Sequence, residues 1–325
     1  MAVVINDEYI ALLNQAVERE LQVSVQYILQ HAKMEKILRK IKAENLLLDK
    51  TVYDAIAAFL KEFGIQEMKH AGTIMERIYL LGGKATTKAA KVTVGDGLKE
   101  FMKNDFKAEE EALVMYRKIL EEAKKIGDIE TFNDFLKIYA DEEKHLFKFQ
   151  ELLTIDDKEP PGPQAEPTEF RKIFTADYFT LLNKGVASEI SAIIQYVNSH
   201  EKANMLALRK LETTLEVITD KNKAKVVSDI LSKTARQEMS HLEKIAERIY
   251  LLEGECVHVP DPLPVIGDNA DQFLALAHKA EDEAIVLYRG IIAEALKRGD
   301  TATRLIFEKI VDEEEQHYWT FDDFF

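Results

Sequence analysis

Apolar positions along this chain recur at the helical period and seldom alternate. After the N-cap oxygens offered by Asn6 and Asp7, Tyr9, Leu13, Val17, Glu20, Ser24 and Tyr27 fall at steps of four, four, three, four and three, which places them on one face of a first helix. The charged stretch around Lys36 to Lys50 is expected to hold the turn that follows. A second helix is predicted from about Tyr53 to Leu81, with Phe63, Glu67, His70, Ile74 and Ile78 on its inner stripe and Gly82-Gly83 as its stop. From there to Val94-Gly95-Asp96-Gly97 no helical period exists. Extended at roughly 3.3 Å per residue, such a segment can travel the length of a helix of about thirty residues at roughly 1.5 Å each. It can therefore run from one end of a bundle to the other. A third helix follows to about Lys125, Gly127-Asp128 makes a short turn, and a fourth helix ends near Leu153.

Four of the seven prolines then fall between Thr154 and Thr168, around Pro160-Pro161-Gly162-Pro163, and read as an extended linker. After it the first half begins again. Tyr-Ile-Ala-Leu-Leu-Asn from Tyr9 matches Tyr-Phe-Thr-Leu-Leu-Asn from Tyr178, and Glu-Arg-Ile-Tyr-Leu-Leu occurs from Glu76 and from Glu247. Lys107-Ala-Glu-Glu-Glu-Ala112 matches Lys279-Ala-Glu-Asp-Glu-Ala284. Self-similarity at so long a period means two copies of one domain. The predicted fold is all-α: two tandem four-helix bundles, each with a long crossover between its second and third helices. The boundaries expected are 1–154 for the first bundle, 155–174 for the linker and 175–325 for the second bundle.

Composition narrows the function classes. A net charge of -15 argues against nucleic acid or an anionic membrane as a partner and is compatible with cationic ligands. No segment approaches the apolar length needed to span a bilayer, and the N-terminus lacks the pattern of a secretory signal. The single cysteine, Cys256, excludes an internal disulfide and a Cys-based metal cluster, so a cytoplasmic setting is expected.

The chemistry concentrates on a motif that recurs. Gln66-Glu67-Met68-Lys69-His70 returns 171 residues later as Gln237-Glu238-Met239-Ser240-His241. Glu-x-x-His puts a carboxylate and an imidazole one turn apart on one helix face, and burying the pair is costly without compensation. The fourth helix of each copy carries a second such motif, Glu142 with His145 and Glu314 with His317. The first helix adds Glu20 or Glu189, each seven residues before Tyr27 or Tyr196; the third adds Glu109 or Glu281, each seven before Tyr116 or Tyr288. The offsets between copies are 169, 171, 172 and 172, so the elements recur nearly in register. Each copy thus offers four carboxylates and two histidines, a donor set suited to two adjacent iron or manganese ions. Buried ion pairs are the competing explanation, yet basic residues do not recur beside these positions on the inner stripes. Tyr27 and Tyr196 read either as donors or radical sinks beside the metals or as core residues. For His31 and His200 structural hydrogen bonding is the favoured role.

Across nearly all of each repeat the chain resembles the ferritin-like di-iron superfamily, and within it bacterioferritin. The resemblance rests on Glu-Leu-Gln-Val-Ser-Val-Gln-Tyr from Glu20, Glu-Met-Lys-His from Glu67, Val-Thr-Val-Gly-Asp from Val92 and Asp-Glu-Glu-Lys-His from Asp141. It implies terminal metal ligands at Glu20 and Glu109, bridging ligands at Glu67 and Glu142, and histidine ligands at His70 and His145. In the second copy it implies Glu189, Glu281, Glu238, Glu314, His241 and His317 in the same roles. These twelve side chains are both the metal-binding and the catalytic candidates. The resemblance also implies a haem b bound through the methionine after the second-helix glutamate, here Met68 and Met239, with packing between bundles as the alternative use of those side chains.

Three departures from bacterioferritin are evident. The first hairpin is longer in both copies, neither copy is followed by the short fifth helix, and two subunits are fused into an intramolecular pseudo-dimer, to which further homo-oligomerisation remains open. A 24-subunit storage cage is therefore not expected. The leading expectation is a di-iron ferroxidase with one centre per repeat, oxidising Fe(II) with O₂ or H₂O₂ in iron handling or oxygen and peroxide detoxification. Peroxidase turnover would need an external electron donor, because the chain lacks a four-cysteine iron site. The rival readings are a di-metal oxidase, Fe/Fe or Mn/Fe, acting on an organic substrate, and a haem or metal carrier.

Overall fold

The computed structural model describes residues 5–43, 47–154, 172–208 and 215–324. The fold is all-α, two four-helix bundles in tandem, with no strand among the described residues. The first bundle comprises α1 (Asp7–Ala43), α2 (Leu47–Leu80), α3 (Leu98–Ile126) and α4 (Ile129–Leu152). The second comprises α5 (Ala176–Leu208), α6 (Leu215–Leu251), α7 (Ala270–Arg298) and α8 (Thr301–Asp322). By compactness the chain divides into Met1–Gln30 with Thr51–Pro160, and His31–Lys50 with Pro161–Phe325. Of the linker expected at 155–174, residues 155–171 lie outside the described residues.

One expectation about the helices is corrected. The second helix begins at Leu47, six residues before the Tyr53 expected. The reason is local, since leucine, lysine, glutamate and alanine dominate this stretch and all favour the helix. Residues 44–46, between the end of α1 at Ala43 and the start of α2, fall within the stretch expected to hold the turn and lie outside the described residues.

The long connection between α2 and α3 is extended and pinned to α1. Asn14 Nδ2 donates to the Lys84 carbonyl at 3.0 Å, and Ala90 N–H to the Glu18 carbonyl at 2.9 Å. Thr93 N–H then donates to Gln26 Oε1 at 3.0 Å, and Gln30 Nε2 to the Val94 carbonyl at 3.1 Å. The segment therefore climbs α1 as its sequence rises, and its backbone groups are satisfied by side chains of that helix. In the second bundle Asn183 Nδ2 donates to the Glu255 carbonyl at 2.9 Å and Val257 N–H returns to Asn183 Oδ1 at 2.7 Å. Both connections deliver the third helix to the end of the bundle from which it can run back alongside the first.

Each bundle is closed at one end by the same four side chains. Gly127 and Gly299 end α3 and α7 in the left-handed conformation, at φ 80° and 74°, a region that favours glycine. Asp128 and Asp300 come next and cap α4 and α8 through Thr131 N–H at 3.2 Å and Thr303 N–H at 3.1 Å. Onto these carboxylates comes an arginine from the second helix: Arg77 Nη2 lies 2.9 Å from Asp128 Oδ1 and Arg248 Nη2 lies 2.6 Å from Asp300 Oδ1. A tyrosine from the start of the first helix completes the group, Tyr9 donating to Asp128 Oδ2 at 3.2 Å and Tyr178 to Asp300 Oδ2 at 3.1 Å. The repeated Glu-Arg-Ile-Tyr-Leu-Leu and Gly-Asp segments are thus two halves of one joint between helices.

The cores otherwise hold aromatic rings, Phe101, Phe135 and Phe149 in the first bundle and Phe273, Phe307 and Phe321 in the second, all fully buried. One polar core group has no counterpart. Asp105, completely buried on α3, accepts from Gln26 Nε2 at 2.8 Å and Gln30 Nε2 at 2.9 Å, whereas Ala277 stands at its register in α7. Burial pushes the Asp105 carboxyl up to about 8, the two amide donors opposing it.

Two stability measurements test these assignments. Replacing Asp128 or Asp300 by alanine leaves a half-buried arginine without its partner and uncaps a helix, so each change is expected to cost about 2 kcal/mol in denaturant unfolding; a loss within ±0.5 kcal/mol, as at an ordinary surface position, would remove the joint. Because Asp105 is raised from 3.8 to about 8, its stabilising contribution is complete below the lower value and is lost as pH rises through the upper one. Asp105→Asn is therefore expected to gain on the wild type by up to about 1.4 kcal/mol per pH unit across that window; parallel pH profiles would show that Asp105 is ionised in the fold.

Candidate metal centre

The four predicted elements of each repeat meet inside its bundle. In the first, donor atoms of Glu20, Glu67, His70 and Glu142 lie within 4.8 Å of one another, and so do those of Glu67, Glu109, Glu142 and His145. The second bundle gathers Glu189, Glu238, His241 and Glu314, and Glu238, Glu281, Glu314 and His317, in the same way. All twelve side chains are buried. Two glutamates in each bundle belong to both groups, Glu67 with Glu142 and Glu238 with Glu314, on the second and fourth helices.

The histidines point Nδ1 at the shared carboxylates. His70 Nδ1 is 3.0 Å from Glu67 and 3.1 Å from Glu142; His241 Nδ1 is 2.9 Å from Glu238 and 3.1 Å from Glu314. His145 Nδ1 lies 2.8 Å from Glu67 and 3.4 Å from Glu142, and His317 Nδ1 lies 3.0 Å from both Glu238 and Glu314. The single glutamates are held by tyrosines instead, each from the helix opposite. Tyr116 on α3 donates to Glu20 on α1 and Tyr27 on α1 to Glu109 on α3; Tyr288 donates to Glu189, and Tyr196 to Glu281 at 2.5 Å. The tyrosines seven residues after each single glutamate are therefore hydrogen-bond donors at the site, which settles the role of Tyr27 and Tyr196 in favour of contact with it.

Electrostatics divides the carboxylates into two kinds. Burial raises the histidines' cost of charging, but hydrogen bonds to the shared glutamates outweigh it and lift His145 to about 10 and His241 to about 12. Burial and Glu142 push Glu67 up, yet the same hydrogen bonds, from His145 and His70, leave it at about 2. The single glutamates go the other way. Burial lifts Glu281 to about 8 and Glu189 well above the carboxylate range, and raises Glu20 and Glu109 with Arg19 opposing it in both.

The donor set fits a pair of divalent cations better than it fits itself. Among the described residues, buried oxygens Glu20 Oε2, Glu67 Oε1, Glu142 Oε2 and Glu238 Oε1 accept no well-aligned hydrogen bond. Buried acceptors left in that state are rare and call for an explanation. Six oxygen- and nitrogen-bearing side chains per bundle, sharing two carboxylates, supply one, since such hard and borderline donors match iron and manganese.

Sequence reasoning missed three features of the site. The first is Arg19. Basic residues do not recur at both centres, but one does enter the first: the Arg19 guanidinium contacts Glu109 and reaches Glu142 at 3.3 Å, Glu20 at 3.4 Å and Glu67 at 3.5 Å, so buried ion pairing is present in this bundle after all. The second is the acidic residue just before each fourth-helix glutamate. Glu313 lies 2.7 Å from His241 Nε2, where it orients the imidazole from outside, and Asp141 lies 3.6 Å from His70 Nε2 at the same register. Its signal was present, an acid at the same register in both copies, but off the inward stripe. The third is a cavity of about 470 Å³ in the second bundle that runs from Leu263 and Val265 at the surface to Glu189, Glu238, Glu281 and Glu314.

Other candidates have plainer surroundings. Met68 and Met239 follow the shared glutamates of α2 and α6 and are buried. His200 accepts or donates at 2.8 Å with Ser228, a structural role as expected, while His31 Nε2 lies 3.1 Å from Glu243 with Glu247 close by. No described helix is long and apolar enough to cross a membrane.

Comparison with known proteins agrees with this architecture. The family model for the ferritin-like domain matches residues 10–158 and again 216–325. Bacterioferritin of Desulfovibrio desulfuricans is 33% identical over 144 residues, covering 44% of this chain and 73% of that protein. The Rhodobacter capsulatus bacterioferritin is 32% identical over 105 residues, 32% of this chain and 64% of the relative. A crystal structure of R. capsulatus bacterioferritin, described as having a metal-free dinuclear site and a haem iron, aligns at 26% identity and TM-score 0.41 over 50% of this chain and 99% of that one. The chain belongs to the ferritin-like family as a bacterioferritin-like member in which the domain is duplicated in tandem.

Proposed function

We propose that the chain is a di-iron ferroxidase, with Fe(II) as its substrate and O₂ or H₂O₂ as the electron acceptor. The observation that carries the reading is the pair of overlapping donor groups in each bundle, joined through Glu67 and Glu142 or Glu238 and Glu314. Two Fe(II) ions give up one electron each, and H₂O₂ takes both with two protons to become two waters. Iron supplies that redox couple; the chain supplies charge, geometry and exclusion of water. The shared glutamates would lie between two cations, while Glu20 with His70, and Glu109 with His145, would each complete one side; Glu189 with His241 and Glu281 with His317 would do so in the second bundle. Because the four helices are locked at the Arg77–Asp128 and Arg248–Asp300 joints, the backbone that carries the donors would stay in place on loading. Keeping the oxidation inside a buried site also limits escape of partly reduced oxygen.

A specific observation favours one rival. The cavity of about 470 Å³ reaching the second centre is lined by Ala192, Leu276, Ala280 and Leu287 among polar groups, a size and mixture that suit a small organic molecule. A di-metal oxidase with Fe/Fe or Mn/Fe would use it as a substrate pocket; a ferroxidase would use it as the way in for iron and oxidant. Haem b through Met68 and Met239 rests on the resemblance to bacterioferritins, and burial of both thioethers suits packing equally.

The iron reading predicts two iron ions bound per loaded centre and Fe(II)-dependent consumption of O₂ or H₂O₂, followed by oxygen electrode and by absorbance of the ferric product. Glu67→Ala together with Glu238→Ala is expected to lower that rate by more than about a hundredfold, and activity surviving the double change would remove the bridging roles. For haem, a Soret band lost on Met68→Leu with Met239→Leu is the expected result; protein from iron-replete cells that lacks the band would dismiss it.

A further inference from the structure

The two centres share all six donor side chains but differ in the residue just before the first-helix glutamate, which is Arg19 in one repeat and Ser188 in the other. In the first bundle the Arg19 side chain is buried and faces all four glutamates, with Nη2 against Glu109 and Nη1 at 3.3 to 3.5 Å from Glu142, Glu20 and Glu67. The guanidinium thus lies against carboxylates of both overlapping donor groups. Arginine does not lose its charge in a protein, so it brings a permanent positive charge to the middle of the donor set. In the second bundle Ser188 lines the cavity that opens onto Glu189, Glu238, Glu281 and Glu314, and among the described residues no lysine or arginine pairs with them. Lys184 and Lys279, which also line that cavity, are exposed at its outer end.

We propose that Arg19 acts as a built-in cation that stands in for metal in the first bundle, so that the two centres load unequally: the second fills first and more tightly, and the first takes metal only as the guanidinium gives way. The charge count supports it. Four carboxylates nearly neutralise two divalent ions in a buried site, whereas with Arg19 among them the same two ions leave an uncompensated positive charge, which is costly in a dry interior. The space beside the donors agrees with it, because Ser188 lines a cavity that extends to the second centre's glutamates where the longer Arg19 side chain fills the corresponding place in the first. A pocket of about 350 Å³ also reaches His70 of the first centre, so charge and not access carries the difference. The inference rests on the metal reading of the previous section and adds a division of labour to it, a readily loaded centre beside a guarded one.

The test is a titration of the metal-free full chain with Co(II) alone, by calorimetry and equilibrium dialysis, followed by anomalous scattering at the cobalt edge to locate the ions. The wild type is expected to show two ions bound in the second bundle before any in the first, with affinities separated by at least about tenfold, the lower end of what close buried charge pairs contribute. Arg19→Ser is expected to convert the weak class into a second tight one, and Ser188→Arg to abolish the tight class; should Arg19→Ser not fold, Ser188→Arg and the wild-type site occupancies still decide the matter. Four equivalent ions in the wild type, an isotherm unchanged by Arg19→Ser, or first occupancy of the first bundle would overturn the inference while leaving the metal reading intact. Absence of binding in the wild type and in both variants would instead end the metal reading and the inference with it.

Discussion

The structure turns on the cost of collecting four carboxylates in a water-free interior. Nothing in hydrophobic packing requires Glu20, Glu67, Glu109 and Glu142, or their four counterparts, to be buried, and desolvation of each is unfavourable by several kcal/mol unless a positive charge or hydrogen bonds compensate it. The fold compensates in layers. Imidazoles sit against the shared glutamates, phenols hold the single ones, and in one bundle a guanidinium reaches all four. Oxygens that remain without a well-aligned donor mark what this compensation leaves undone. A binding site for cations is the state in which that deficit disappears.

The two bundles separate what is structural from what is chemical. The arginine–aspartate joint, the tyrosine that meets it and the glycine before it occur in both with nearly the same distances. Arg19 and Asp105, by contrast, belong to the first bundle alone, facing Ser188 and Ala277 at the same registers. Duplicated scaffolding with unlike residues around the donor set means that the electrostatics of one centre can change without disturbing the helices that carry it. The frame tolerates this because the arginine–aspartate joint at the bundle end and the rings that pack on the site tyrosines, Phe135 on Tyr116 and Phe307 on Tyr288, are the same in both copies.

Much of this was legible in the sequence, and the misses have physical causes. Helical period placed Glu20, Glu67, His70 and the rest on inward stripes, and the recurrence of each element at nearly constant offset made their convergence in space predictable. Period alone could not find Arg19, because its Cα lies one residue, about 100° of helix, away from Glu20. Only the length of the arginine stem carries the charge back into the core, and stem direction is not encoded in spacing. Asp141 and Glu313 were hidden for the same reason, sitting one position off the stripe and reaching the outer imidazole nitrogen from the side. The start of the second helix was placed too late for another reason: its stripe becomes regular only from Tyr53, whereas Lys, Glu and Leu propagate a helix wherever no glycine or proline stops it.

These causes share one geometry. A residue on the stripe contributes its chemistry directly, while a neighbour one step away contributes through reach, and reach depends on side-chain length. Serine at position 188 cannot arrive where arginine at 19 does, so the exchange of one residue beside an unchanged glutamate both withdraws a charge and leaves open space next to the donors. Field and access therefore change together at a single position. On the proposed metal reading, those two properties would decide which cation enters and how firmly it is held, so the residue flanking each first-helix glutamate would set the character of the centre as much as the glutamate does.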